Sequence, residues 1–221
     1  MNLIEHLILA SGTALMLIVA STPINAQEGG PRLTTPVGDI AFEVVGQVSN
    51  PSATTSKQYG YVSFIKGLLA NQIFSTADPT LQNESTALFT FFTDATTERV
   101  ISNGRLRIIN RTGTTTIYYD DTPDGTFSDR ESFHDGVAVL TFDYRQQVVS
   151  DTGEGGTFTV ANVLTVVSSE SIQLGDEQLR LAKLRDTFRQ YYSGAPPTGT
   201  PALNGVFAGY AVATEPAKPN E

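Results

Sequence analysis

Cysteine is absent from this 221-residue chain. That absence removes disulfides, thiolate catalysis, zinc–thiolate sites and lipid attachment through a lipobox cysteine. An exported domain of this size must then be held by packing, with a bound metal as the one other fastening open to it. Basic charge is scarce too: 14 Lys and Arg stand against 23 Asp and Glu, a formal charge of -9. Such a balance suits neither a phosphate backbone nor an anionic membrane surface, so neither nucleic acid nor stable membrane insertion is expected. Of two histidines, only His134 lies beyond the N-terminal apolar segment. No G-x-S-x-G elbow, H-E-x-x-H helix or repeat of solenoid length is present. These gaps count against hydrolases but not against a cyclase or isomerase that works by a shaped cavity.

What is present reads as an exported β domain. Residues 7–20 are apolar and lead to Ser21-Thr22-Pro23-Ile24-Asn25-Ala26, the pattern of a signal peptide (1–26) cut after Ala26. The run is shorter than the ~20 residues of a spanning helix. Residues 27–39 read as a flexible lead-in, 40–213 as the folded domain and 214–221 as a disordered tail. Within the domain, Ile40, Phe42, Val44 and Val48 alternate with Glu43 and Gln47, and Ala87, Phe89 and Phe91 alternate with Leu88 and Phe92. Asn103-Gly104 signals a two-residue hairpin, and Gly113 separates a strand over 105–111 from another over 114–119. Residues 136–150 and 157–168 form two further long strands, and Gly175-Asp176 turns a short hairpin. Residues 68–74 allow one helical turn, while 181–192 fit a helix or a strand equally. The sum is an all-β fold: a single antiparallel β-barrel, or a sandwich, of about eight to ten strands. In architecture it is similar to lipocalin-like and allene-oxide-cyclase-like barrels, with no motif that singles out either.

The densest set of oxygen ligands lies in residues 120–131. It reads D-x-T-x-D-G-x-x-S-x-x-E and resembles the calcium loop of EF-hand proteins. The resemblance implies calcium held by Asp120, Thr122, Asp124, Thr126, Ser128 and Glu131, with Gly125 at the sharp turn. The flanks read as strands rather than helices and Pro123 stiffens the loop, so an acidic hairpin with Pro-Asp-Gly turn chemistry is the alternative.

Two further constellations stand out. Tyr59, Tyr61, Tyr118 and Tyr144 belong to an aromatic set able to line an apolar cavity with hydroxyl handles. Arg105, Arg107 and Arg111 share one face of a strand. Facing inward they would make a carboxylate or phosphate pocket. Leu106 and Ile108 compete for the core, which makes outward the expected direction. The expectation is a secreted or periplasmic, non-catalytic barrel for an apolar or amphipathic small molecule. Its alternatives are an extracellular structural or surface-interaction domain with calcium as a stabilising ion, and a cavity-type cyclase or isomerase.

Overall fold

The computed structural model describes residues 31–153, 155–196 and 204–218. The strands are β1 (Ile40–Ser49), β2 (Thr55–Ile65), β3 (Phe89–Asn103), β4 (Leu106–Tyr119), β5 (Val137–Asp151), β6 (Phe158–Ser169), β7 (Ile172–Leu174), β8 (Glu177–Leu179), β9 (Thr187–Ala195) and β10 (Asn204–Thr214). Eight of them close into an antiparallel barrel in the order β1-β2-β3-β4-β5-β6-β9-β10, with β10 returning to β1. β7 and β8 form a separate hairpin between β6 and β9. Closure gives every long strand a neighbour on each side, while β3 continues beyond Thr96 past the start of β2. The fold is thus the barrel, not the sandwich, with one helical turn, α1 (Ala70–Ile73).

Alternation sends Phe42, Phe91, Ile117, Phe142, Leu164, Phe188 and Phe207 into the barrel, where they form one continuous core. The strands approach closely where the sequence has glycine. A Cβ on Gly113 would fall 1.9 Å from the Asp94 carbonyl oxygen, and one on Gly46 would fall 2.8 Å from the Phe207 ring. Gly113 therefore sits inside β4, which runs unbroken for 14 residues instead of splitting there. In a strand, glycine marks close backbone approach as readily as it marks an end.

The β3–β4 turn is shifted by one residue from the expectation. Asn103 pairs with Leu106, so Gly104 and Arg105 are the turn residues. Gly104 takes the positive φ of 59° required at the first central position. Residues 181–192 resolve to strand from Thr187, because Phe188, Gln190 and Tyr192 alternate inward with exposed Arg189 and Tyr191. Leu184, which completed the helical stripe, is 59% exposed.

The two ends of the barrel differ. The three longest connections, β2–β3, β4–β5 and β6–β9, together with the described segments flanking the barrel, lie at one end. There Leu33, Leu68, Ile73, Phe74, Leu174, Leu179 and Ala182 close over the core. The lead-in joins this plug: Leu33 N–H donates to the Arg180 carbonyl at 2.9 Å. On the tail side, Ala217 N–H donates to the Arg185 carbonyl at 3.0 Å. The other end carries the connections β1–β2, β3–β4, β5–β6 and β9–β10. Residues 1–30, which include the expected signal peptide, and residues 219–221 lie outside the described part of the chain.

Candidate ligand-binding site

Beneath the hairpin end the barrel interior is open, with a cavity of about 350 Å³. Three tiers follow from the inward face of each strand. Arg107, Ser150 and Asp151 stand at the rim. One inward step below, Val48, Val100, Ile109, Val148 and Val160 make apolar walls, with Phe158, opposite Ser150, above them at the mouth. Arg111, Gln58 and Tyr192 form a polar floor. Successive inward side chains are about 6.6 Å apart along a strand, so the apolar tier is shallow. Below the floor the core is filled, with only about 10 Å³ left among Phe42, Phe91, Phe142 and Phe207.

The floor is one hydrogen-bonded belt. Gln58 and Gln146 exchange amide bonds at 3.4 Å, and Tyr144 Oη donates to Gln58 Oε1 at 3.0 Å. Tyr192 Oη donates to the same oxygen at 2.5 Å, and Gln146 Nε2 also contacts the Tyr144 hydroxyl. Asn162 Nδ2 donates to Gln190 Oε1 at 2.7 Å. Burial holds the Tyr144 hydroxyl well above the ordinary phenol range and pushes Tyr192 up to about 12. Both phenols are neutral donors at physiological pH.

Arg111 is the only charged side chain in the floor, among the described residues. It faces Thr97 on β3 and Gln146 on β5. Its Nη1 donates to Gln146 Oε1 at 2.8 Å, Nη2 to Asn50 Oδ1 at 2.9 Å and Nε to Thr97 Oγ1 at 3.3 Å. Burial lowers its proton affinity from the ordinary arginine value, but an arginine remains charged.

The expected direction of the arginine face is thereby reversed. Leu106 and Ile108 are 47% and 38% exposed on the outer wall, while Arg107 and Arg111 line the cavity. Arg105, at the turn, pairs with Asp151 at 2.6 Å. Of the four tyrosines expected at a ligand site, only Tyr144 points inward, and it lies in the belt under the cavity. Tyr59, Tyr61 and Tyr118 alternate to the outside. Tyr59 is buried there against Phe92 and Phe133, with Tyr118 and Phe127 beside them. Tyr61 meets Phe74 edge-on at 6.2 Å. Tyr192 is the tyrosine of the cavity, and sequence reasoning missed it while 181–192 stood undecided between helix and strand.

The acidic loop connects β4 to β5 across the outer wall. Phe127 and Phe133, 5.0 Å apart, anchor it over Tyr59. Asp129 caps the following 3-10 turn, Arg130–Phe133, by accepting from Glu131 N–H at 3.0 Å. Of the six residues of the EF-hand-like set, Asp120 and Asp124 come together, and Asp135 joins them. Their nearest carboxylate oxygens all lie within 4.8 Å of one another on the surface. Burial first, then the charges of Asp124 and Asp120, raise the Asp135 carboxyl above its usual range. Glu131 points elsewhere, accepting from Arg130 Nε at 2.9 Å and lying 2.7 Å from His134 Nε2. Ser128 and Thr126 bond each other at 2.9 Å, and the Thr122 N–H donates to Asp120 Oδ1 at 2.9 Å. Gly125 has no positive φ; it is glycine because a Cβ would fall 2.7 Å from the Glu84 carbonyl oxygen. A group of three carboxylates is a donor set suited to a divalent cation.

No family model matches the chain, and no characterised protein or solved structure shows significant similarity to it. What defines the molecule is its geometry: a closed antiparallel eight-stranded barrel of a kind consistent with small-molecule binding. Among the described residues, no helix is long and apolar enough to cross a membrane.

Proposed function

We propose that this chain is a secreted or periplasmic, non-catalytic carrier that takes an apolar or amphipathic small molecule into the hairpin end of its barrel. The observation that carries this reading is the cavity of about 350 Å³ above a polar floor, in a barrel otherwise filled. Sites for small ligands span roughly 300–1,000 Å³, so the occupant is small. The groups facing the cavity favour holding over reacting. Asp151 is the carboxylate among them and is tied to Arg105. No histidine or nucleophile–base pair accompanies it among the described lining residues. Calcium is the ion we assign to the Asp120, Asp124 and Asp135 cluster, as a structural clip on the β4–β5 connection rather than a reagent.

Titration with the neutral dye Nile red tests the carrier reading. Saturable binding of one dye per chain is expected, and Ile109→Trp, which fills the apolar tier, should abolish it while leaving the melting curve cooperative. Absence of uptake, or uptake indifferent to Ile109→Trp, would overturn the reading.

A further inference from the structure

We propose that the cavity selects a ligand bearing one carboxylate, which docks on the guanidinium of Arg111 while its apolar portion lies between Ile109, Val148, Phe158 and Val160. The inference rests on the carrier reading and names its ligand class.

The argument begins with an unmatched charge. A guanidinium has five N–H donors, and three of those on Arg111 go to Thr97, Gln146 and Asn50, all neutral. No carboxylate among the described residues pairs with it. The described carboxylate of the cavity, Asp151, is engaged by Arg105 at the rim. Tyr144 and Tyr192 are the other groups whose charge bears on Arg111. Their phenols are kept protonated by burial, so neither supplies an anion. A charge withdrawn from water is ordinarily met by an opposite charge. Here three neutral acceptors fix the fork in place, and two of its donors are uncommitted among the described residues.

The shape of the site narrows the anion. One planar fork matches a carboxylate in a two-bond contact. A dianionic phosphate would call for a second cation at the floor, and the nearest described candidate, Arg107, is exposed at the rim. Directly above Arg111 on the same inward face is Ile109, and beside it on β5 is Val148. A head group on Arg111 therefore places the following carbons in the apolar tier. A shallow tier and a cavity of about 350 Å³ fit a medium-chain acid or a compact ring acid.

Isothermal titration calorimetry of the full chain with octanoic acid and with octanamide separates head from tail, since the two differ in charge and little in size. At neutral pH octanoate should bind at least about tenfold more tightly than the amide. Arg111→Met should remove that preference while leaving amide binding nearly unchanged. Arg111→Lys, which keeps the charge but loses the fork, should retain part of it. Equal affinities for acid and amide in the unaltered protein would overturn the inference whatever the variants do. So would binding of Nile red with no binding of octanoate, while the carrier reading survives. Failure of Nile red, octanoate and octanamide alike would overturn both.

Discussion

The two ends of the barrel are built from the same strands and finished in opposite ways. At one end the connections are long, and with Leu33 of the lead-in they fold Leu68, Ile73, Leu174 and Leu179 over the core. At the other end the described turns are short, and the walls surround a cavity with an arginine in its floor. An eight-stranded barrel is just wide enough either to fill with side chains or to hold one small ligand. This chain is filled at one end and leaves a cavity of about 350 Å³ at the other, with the Gln58–Gln146–Tyr144–Tyr192 belt as the divide. Under the proposed carrier function, stability and binding fall to different halves. Packing at the plugged end can be optimised without touching the site.

If that division holds, truncations should cost very different amounts at the two ends. Phe89 is fully buried toward the plugged end, its ring 5.3 Å from Tyr119. Phe89→Ala should lower the unfolding free energy by roughly 3–5 kcal/mol. Phe158, half-buried at the cavity mouth, should cost about 1 kcal/mol on the same substitution, because much of its ring is already outside the core. Urea denaturation of both variants measures the contrast. Equal losses would mean that the hairpin end is as tightly packed as the plug.

The same contrast explains how much could be read from the sequence. Barrel strands with one packed face announce themselves by alternation, so β1, β3, β5 and β6 were legible. Alternation at the plugged end also points the correct way, since Phe89 and Phe91 do face the core. At the cavity end it misleads. There the inward face carries Arg107 and Arg111, while Leu106, Ile108 and Val149 are exposed outside. Reading apolar residues as inward therefore turns the strand over at the place where the cavity lies. Register settles the matter, because Arg107, Ile109, Arg111, Gly113, Thr115 and Ile117 share one face, but only if Gly113 is read as part of the strand. The acidic loop was legible as a carboxylate cluster yet not in its membership. Asp135 follows the 3-10 turn that brings it back beside Asp120, a folding-back no linear spacing encodes.

Arg111 offers the next largest effect. If its guanidinium is reserved for a ligand, it burdens the ligand-free fold. Arg111→Met should then leave stability unchanged or raise it by about 1 kcal/mol, as replacing buried charge by apolar volume can. Gln146 Oε1 would still accept from Gln58 Nε2. Loss of more than about 2 kcal/mol would show that Arg111 fastens the belt rather than awaiting an anion.

A smaller effect separates the β4–β5 connection from the rest of the plugged end. Arg130, then His134, holds the Glu131 carboxyl below the usual carboxylate range. A depressed carboxylate contributes stability above its unfolded value, near 4.3, and loses it as pH falls through the folded value. The difference in melting temperature between the unaltered protein and Glu131→Gln should therefore be present at pH 6 and shrink as pH falls through the folded value. Because Glu131 is solvent-exposed, only a small shift is expected. A difference that stays unchanged across the whole acid titration would show that the substitution acts through something other than the charge.

Calcium gives the last prediction, and it turns on the sign of the Asp135 shift. Its carboxyl is raised by burial and by Asp124 and Asp120, so the folded loop holds that proton more tightly than the unfolded chain does. The group favours folding below its unfolded value, and that contribution is lost as pH rises through the folded value, leaving three crowded carboxylates at neutral pH. A divalent cation removes that crowding. A ligand of the native state alone adds RT ln(1 + [L]/Kd), so millimolar calcium at an extracellular-type affinity of roughly 10⁻⁴–10⁻³ M adds about 1 kcal/mol. Asp124→Asn should abolish the calcium-dependent rise in melting temperature. In chelator the same change should be neutral or slightly stabilising, since it removes one of the repelling charges. Thermal melts of both proteins with calcium and with chelator give four curves. If the unaltered protein melts identically in several millimolar calcium and in chelator, the β4–β5 connection is fastened by Phe127 and Phe133 alone, and the cluster is a surface turn.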